Sequence, residues 1–522
     1  MAKYPIGIQT FEVIREGGYI YIDKTQYVYD LANNYKYVFL SRPRRFGKSL
    51  LTSTFNSYFS GRKDLFEGLA AYDLEKEWVA YPVLQFSLST AKLGTVEDLF
   101  TLLNLQLSKI EQKYGVENSI GLENPGARFQ DDVIKLYEKT QKKVVVLIDE
   151  YDSPMLTVMG DDAKLNTMRT ALQSFYAPLK DLDPYLRFVF ITGITKFSQL
   201  SIFSQLNNLE NISMQDEFAE ICGITQSELE ANFQEGIANL EKANKLTHQE
   251  ALENLKFTYD GYCFSAGGEG VYNPFSLLKC MKDKKLKHYW FATGTPTFLL
   301  KQIKKFHTDI TQIDGSVTLE SEFDAPTENM HSILPLFYQS GYLTIKQSDT
   351  RSRRYTLGFP NEEVKVGLTQ MFIPYYVSPD TTATYNACWN ICEGLMDGHI
   401  ETALQAARSY FASIPYQEGT LKDAPTTEGH FTAMLYVVFS FLNFYVYSQV
   451  RVAKGRMDIL IKTTDAVYVM EIKLDGTVDE ALQQIEDKGY AIPYETDGKK
   501  LIKIGLVFST SERTITDWKV VE

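Results

Sequence analysis

Cysteine is scarce in this chain. There are five in 522 residues (Cys222, Cys263, Cys280, Cys388 and Cys392), odd in number and widely scattered, with no C-x-x-C pair. This usage points to a reducing cytoplasm rather than a disulfide framework, and the neighbourhood lacks the further ligands of a zinc site. Cys388 and Cys392, four apart, share one face of a helix and read as small buried hydrophobes. Long apolar runs are also missing. The most apolar stretch, MLYVVFSFLNFYVY (434–447), has 14 residues interrupted by Ser440 and Asn443, too short to span a bilayer. The opening MAKYPIGIQTFEVIREGG has no apolar core of signal-peptide type. The expectation is a soluble, cytoplasmic protein with no membrane partner. No excess of cationic charge exists either: 53 Lys+Arg against 66 Asp+Glu give a net charge of −13. That balance argues against non-specific coating of nucleic acid, yet leaves room for a local basic groove.

What is present describes an ordinary globular chain: 44% hydrophobic, 23% charged and 13% aromatic residues exclude global disorder and fill cores. The length predicts roughly three domains, drawn at 1–215, 216–375 and 376–522 from changes of pattern, since no internal repeat or low-complexity tract marks a boundary. Residues 37–210 alternate β-rich runs, YVFL (37–40), VLQFS (83–87), VVVLID (144–149) and RFVFIT (187–192), with amphipathic stretches such as 95–114 and 128–140. Alternation of this kind predicts a parallel sheet wound with helices. From about 216 to 335 the pattern is mainly helical. ILPLFYQSGYLTI (333–345) reads as helix then strand, followed by the polar loop KQSDTRSRR and a short strand YTLGF (355–359), the outline of a winged-helix module with a basic tip. Beyond 375 come helices, a strand-rich block at 444–473, a helix near 479–490 and a last strand at 503–509. The fold class is therefore multidomain α/β.

The first chemical motif is YVFLSRPRRFGKSLL (37–51), an apolar strand and tight turn with Gly47-Lys48-Ser49 opening a helix. Phosphate binding needs inward backbone N–H groups, a helix N-terminus, a lysine and a hydroxyl for Mg²⁺. Gly47 permits close backbone approach, Lys48 reaches the β/γ-phosphates and Ser49 coordinates magnesium; Arg44, Arg45 and Phe46 complete the candidate nucleotide-binding loop. Position 42, where the standard pattern has its first glycine, holds Arg42. The strand VVVLIDEYD (144–152) ends in Asp149, placed to hold the magnesium through water, and Glu150, placed to polarise the attacking water. A helix cap would explain that acidic pair taken alone, but poorly beside the phosphate loop. A third strand ends at Thr192, a candidate γ-phosphate sensor with Thr195 as competitor. The three strands together imply ATP as cofactor with Mg²⁺.

YIDKTQYVYDL (21–31), SRPRRFGKSLL, VVVLIDEYDSP and FITGITKFS occur in order, and they resemble the AAA-ATPase-like family of bacterial proteins over about residues 4–210. In that family RPRRFGKS is the usual phosphate loop, so Arg42 follows the family pattern. The resemblance implies a P-loop NTPase sheet with helices on both faces and, commonly, a C-terminal PD-(D/E)XK nuclease-like domain. Asp23-Lys24-Thr25 resembles a family motif, and a helix cap explains it equally well.

The second motif is GRMDILIKTTDAVYVMEIK (455–473). If Thr464-Asp465 form the hairpin loop, paired positions sum to 929, and Asp458 faces Glu471 across the ladder. Glu471 and Lys473 share a face. Opposed carboxylates repel and need a cation: Mg²⁺ (or Mn²⁺), with Lys473 orienting or deprotonating water, or Lys473 alone in an ordinary salt-bridged hairpin. The spacing D-x12-E-x-K resembles the core of PD-(D/E)XK nucleases, with Met457 at the name-giving proline. That resemblance implies a further acidic metal ligand at Glu428, and places Gln484 and Tyr490 of ALQQIEDKGYA (481–491) close to the active site.

The functional expectation is an ATP-binding, ATP-hydrolysing protein with metal-dependent nuclease activity on nucleic acid, DNA being the expected form. The alternative is a nucleotide-dependent switch whose nuclease-like domain does not cut. A homo-oligomer is compatible with either.

Overall fold

The structure, a computed structural model, describes residues 3–89, 93–196, 208–290, 313–325, 330–349, 351–376, 381–413, 445–452 and 455–522, with positions 299, 302, 306 and 436 between them. The chain forms two compact units, Met1–Thr308 with Val317–Glu363, and Asp309–Ser316 with Val364–Glu522.

The first unit is built on five strands, β1 (Tyr37–Ser41), β2 (Val83–Ser87), β3 (Val144–Asp149), β4 (Leu186–Gly193) and the short β5 (Glu210–Asn211). Their order is β2–β3–β4–β1–β5, and the pairs are parallel throughout. Every residue of β3 is buried, which a continuous apolar run requires when helices cover both faces of a parallel sheet. Helix α1 (Lys48–Phe59) follows β1 directly. Phe39, Phe86 and Ile148 fill one core with apolar positions of α2 (Val96–Tyr114), α3 (Pro125–Thr140) and α4 (Asp162–Tyr176). Because all strands run the same way, the ends of β1, β3 and β4 that carry the first motif lie on one edge of the sheet, where open α/β sheets bind ligands.

The helices α5 (Gln234–Asn244), α6 (His248–Tyr259) and α7 (Pro274–Asp283) bury Ile237, Leu255 and Leu277 in a second core. Helix α8 (Leu334–Ser340) then leads into an antiparallel pair, β7 (Thr344–Asp349) and β8 (Arg354–Gly358), which joins β6 (Ser316–Leu319) in the order β6–β8–β7. The strands reach further than the sequence pattern predicts. KQSD belongs to β7, and Arg354 pairs with Asp349 instead of lying in the loop. Asp349 accepts from Arg351 N (2.9 Å) and Ser352 Oγ (2.7 Å), a local turn that lets polar residues stay in the ladder.

The second unit holds a mixed sheet, β13–β12–β11–β10–β9, formed by β9 (Tyr445–Val452), β10 (Gly455–Lys462), β11 (Ala466–Leu474), β12 (Lys500–Ser509) and β13 (Thr514–Val521). Only β11 and β12 are parallel, joined by a crossover that contains helix α11 (Val478–Lys488). Helices α9 (Glu362–Tyr376), which begins in the first unit, and α10 (Ile400–Ser413) precede the sheet. The expectation that the strand at 503–509 is the last one is corrected by β13. Beyond Ile515 this edge strand alternates half-buried and exposed residues, a pattern that hydrophobicity alone does not register. Cys388 is buried as expected, whereas the Cys392 side chain and most of the apolar run 434–447 lie outside the described residues. Among the described residues no helix is long and apolar enough to cross a membrane.

The first unit ends at Glu363, a fully buried residue whose carboxylate accepts the backbone N–H groups of Tyr289 and Trp290 (2.7 Å for the latter). Burial raises this carboxyl from an ordinary 4.5 to about 7, against the opposing pull of those N–H groups and of His288. The folded chain thus keeps a proton that the unfolded chain has released between those values. Stability is therefore expected to fall as pH rises through that window, by at most about 1.4 kcal/mol per pH unit. Glu363→Gln retains an acceptor oxygen and removes the titration. Calorimetry at pH 5 and pH 8 should show the wild type losing melting temperature relative to the variant, and equal losses would assign the titration to another group.

Candidate functional site

The loop between β1 and α1 is shaped by two left-handed residues, Gly47 (φ 92°) and Arg45 (φ 68°). Glycine adopts this region without a Cβ clash; arginine does so at a cost of about 1–3 kcal/mol. Arg42 accounts for the missing first glycine. Its guanidinium, almost fully buried, donates to the carbonyls of Ser213 (2.7 Å) and Phe218 (2.9 Å) and lies over the Phe264 ring at 4.2 Å. Phe46 wedges between Tyr262 and Phe264, with centroids 4.7 and 5.3 Å away. The loop is therefore braced from behind by side chains rather than freed by glycine.

Lys48 Nζ donates to the carbonyls of Arg42 and Pro43, both at 2.9 Å. Burial lowers its basicity, and Asp149, Glu150 and Asp152 partly restore it. Asp149 is raised by burial, offset in part by the Ser49 hydroxyl and the Lys48 ammonium. Its Oδ1 is buried without a hydrogen-bond partner. An orphaned carboxylate oxygen beside a hydroxyl is the donor set that a hard divalent cation takes, so these residues fit magnesium. Glu150 sits in the left-handed region (φ 52°), and burial together with Asp149 raises its carboxyl.

A cavity of about 950 Å³ opens over the loop. Arg44, Arg45, Gly47, Lys48 and Ser49 wall it, with Glu150 and Asp152 opposite, residues 5–9 along one side, and Pro274, Phe275 and Leu278 of α7 along another. A mainly apolar lobe of about 100 Å³ shares Pro5, Leu50, Pro274 and Leu278 with this cavity and also touches Phe46. Thr192 is not brought to the cavity. It is fully buried, and its hydroxyl donates to the Leu40 carbonyl at 2.7 Å, tying β4 to β1. Thr195 is likewise occupied, donating to Asp152 Oδ2 at 2.7 Å. Asp152 is the residue that sequence reasoning missed. Its Oδ2 also accepts the N–H groups of Ile194 (3.0 Å) and Thr195 (2.7 Å), so it staples the end of β3 to the end of β4 beside the cavity. A Cβ on Gly193 would lie 2.5 Å from Asp152 Oδ1, which makes glycine necessary there. The run DEYDSP carried that signal in its second aspartate. Asp23 Oδ1 accepts from Thr25 N and Oγ1, and Lys24 pairs with Glu228 at 2.6 Å, so this triplet starts a helix and anchors it.

In the second unit the hairpin register is the predicted one. Ile459 pairs with Met470 and Lys462 with Val467, each pair summing to 929, and Thr463 N donates to the Ala466 carbonyl across the turn. Asp458 and Glu471 lie one step beyond the last of these backbone pairs, 9% and 2% exposed. Asp458 Oδ2 accepts Ile472 N at 2.9 Å, and Asp458 N points at Glu471 Oε2 from 3.4 Å. Helix α11 covers this face through Ile485, packed with Leu460, Val467 and Val469, which brings Gln484 over the carboxylates. The Gln484 amide donates to Glu471 Oε1, while its carbonyl accepts from Lys473 Nζ at 2.7 Å; Lys473 Nζ is also 3.6 Å from Glu471 Oε1. Tyr490 OH lies 3.4 Å from Gln484 Nε2. Asp458, Glu471, Lys473 and Gln484 thus form one connected group. Its anionic donors are all oxygen, which suits Mg²⁺ or Mn²⁺. Glu428 lies outside the described residues, and among those described no cluster of three or more His, Cys, Asp or Glu could hold a metal ion.

Both candidate sites lie within stretches that match known families. The sequence pattern of the family described as "Predicted AAA-ATPase" matches residues 5–203, and that of the PD-(D/E)XK nuclease superfamily matches residues 426–518. The chain is 32% identical over 526 residues to the "Uncharacterized protein in vnfD 5'region" of Azotobacter chroococcum mcd 1, covering 99% of this chain and 98% of that protein. No solved structure matches. With a phosphate loop over a parallel sheet, a carboxylate–lysine hairpin under a helix, and a relative alike from end to end, this chain belongs to the predicted AAA-ATPase family and carries a C-terminal domain of the PD-(D/E)XK nuclease superfamily.

Proposed function

We propose that the protein binds and hydrolyses ATP in the first unit and cuts nucleic acid, DNA in particular, with a divalent metal in the second. The observation that carries this reading is the grouping of Asp458, Glu471 and Lys473 of the hairpin with Gln484 of α11, since buried carboxylates beside each other and a lysine are costly unless a cation joins them. We keep a division near residue 215, between an ATPase domain and a helical and hairpin segment reaching to 375, a bound that lies past the end of the first unit at Glu363. The exposed tip residues Arg351 and Arg353 then add a phosphate-contacting surface.

In the ATPase reaction Lys48 exchanges its two loop carbonyls for β/γ-phosphate oxygens, and the N–H groups at the start of α1 face the same charge. The base lies in the apolar lobe between Pro5 and Leu278. Ser49 and the free oxygen of Asp149 hold magnesium, which when bound supplies charge neutralisation on the phosphates. Glu150 takes a proton from the attacking water, a role that its raised carboxyl favours. In the nuclease reaction Asp458 and Glu471 hold the metal, which when bound supplies Lewis-acid stabilisation of the scissile phosphate. Gln484 positions Lys473, whose ammonium orients the nucleophilic water or assists its deprotonation.

Lys48→Ala is expected to weaken ATP binding by at least about tenfold in isothermal titration. Glu150→Gln should leave binding in place and slow turnover by about 10²–10⁴-fold. The wild-type rate should rise with pH through an ionisation above the ordinary glutamate value of 4.5, because the carboxylate is the active form. An unchanged titration in Lys48→Ala would remove the ATP site from this loop.

Asp458→Asn and Glu471→Gln should each abolish Mn²⁺-dependent nicking of supercoiled plasmid, and Lys473→Ala should slow it by about 10²–10⁴-fold, with ATP turnover retained in all three. Wild-type protein that turns over ATP but leaves plasmid intact in Mg²⁺ and Mn²⁺ would decide for the non-cutting switch.

A further inference from the structure

The chain is acidic overall, yet its segment 279–288, KCMKDKKLKH, carries five lysines against one carboxylate. The structure gives that segment neighbours of the same sign. Helix α5 ends at Lys245 and helix α7 at Lys284, and both caps are left-handed (φ 57° and 54°). Glycine is the usual residue for such caps, because a side chain there meets a steric cost that glycine avoids. Asn244 Nδ2 donates to the carbonyls of Leu240 (2.8 Å) and Lys284 (3.0 Å), which fixes the two caps side by side. The Tyr259 hydroxyl of α6 accepts Lys287 N at 3.0 Å and donates to its carbonyl at 2.8 Å, pinning the segment that follows. Lys242, Lys245, Lys282, Lys285 and Lys287 are exposed and Lys284 half-buried. Among the described residues none of these six takes part in an ion pair, whereas Lys279 pairs with Asp283 at 3.5 Å. Lysines that serve only to complement helix ends need no shared location. Here the ends of two helices are tied together and, among the described residues, six ammonium groups are left without an ion-paired carboxylate.

We propose that this surface binds the phosphate backbone of nucleic acid, and that α7 links it to the nucleotide cavity. This rests on the reading of the second unit as acting on nucleic acid. The first turns of α7 wall the cavity with Pro274, Phe275 and Leu278, and Arg45 lies over the Phe275 ring at 4.8 Å. Its last turn delivers the lysines. A ten-residue helix spans about 15 Å, so one rigid element has the ATP cavity at one end and the cationic surface at the other. Mobile side chains on fixed caps suit a regular polyanion, whose affinity comes from counterion release and not from base contacts. A lipid surface fits less well, because no large apolar side chain is exposed along 279–288 to enter it.

The test uses the full chain in EDTA, where a metal-dependent nuclease is silent, and reads anisotropy of a fluorescein-labelled 30-mer, single- or double-stranded, from 50 to 200 mM KCl. The triple variant Lys282→Glu, Lys285→Glu, Lys287→Glu should bind at least about tenfold more weakly, with a salt slope lower by about two to three. Lys→Arg at the same positions should restore both. Basal ATP turnover, measured separately in Mg²⁺ and unchanged in the triple variant, shows that the fold is kept. In wild type the oligonucleotide should alter ATP turnover, and the triple variant should lose that response. Equal affinity and slope in wild type and charge-reversed protein would overturn the proposal, as would wild-type binding to phosphatidylglycerol vesicles without binding to oligonucleotide. Binding that depends on these lysines in a protein that never cuts plasmid supports this surface while rejecting the nuclease reading.

Discussion

The phosphate loop depends on one buried guanidinium. Arg42 occupies the position where a glycine-rich loop would gain freedom, and it does the opposite, fastening the end of β1 to the backbone around Ser213 and Phe218 under the face of Phe264. A buried arginine with this many carbonyl acceptors and an aromatic lid is stable because its charge is dispersed over several dipoles. The consequence reaches the chemistry directly, since the carbonyls of Arg42 and Pro43 are the ones that hold Lys48. Close packing extends the brace. A Cβ on Gly341, at the end of α8, would meet Pro43 at 2.6 Å, so that glycine lets the helix end abut the loop.

Both candidate sites keep acidic groups in poorly solvated positions beside a lysine, and they meet the cost differently. In the first unit Asp149 keeps an oxygen without a partner, a destabilising feature that a bound cation would relieve. In the second, Gln484 satisfies the cluster internally by accepting from Lys473 and donating to Glu471. An amide is suited to this because it offers a donor and an acceptor about 2 Å apart. Gln484 can therefore hold the ammonium near the carboxylates while preventing a tight Lys473–Glu471 pair, which leaves that contact at 3.6 Å.

Much of this was legible because the signals are local. Gly47-Lys48-Ser49 lies within one turn of chain, and a two-residue hairpin loop dictates the pairing behind it as far as Ile459–Met470, just beyond which Asp458 and Glu471 meet through side-chain hydrogen bonds. Thr192 shows the opposite case. Its placement at a strand end was right, but β4 lies between β1 and β3, and its hydroxyl meets the Leu40 carbonyl of the neighbouring strand before it can reach the cavity. Asp152 was overlooked because its three donors come from residues 42 and 43 positions further along. The strand β13 was missed because a half-exposed edge strand has too little hydrophobic contrast to be recognised alone.

By itself the sequence determined the order of elements, the phosphate loop, the acidic end of β3 and the hairpin register, all of them set by neighbours a few residues apart and by the periods of strand and helix. Only the tertiary structure decided which side chains face a cavity. It recruited residues 5–9 and the start of α7 as walls, turned Arg42 inward as a brace, laid Gln484 across Glu471 and Lys473, and gathered the lysines of α5 and α7 at one place. The physical reason is that burial, hydrogen-bond satisfaction and charge proximity are properties of the packed chain, in which residues hundreds of positions apart exclude water from one another.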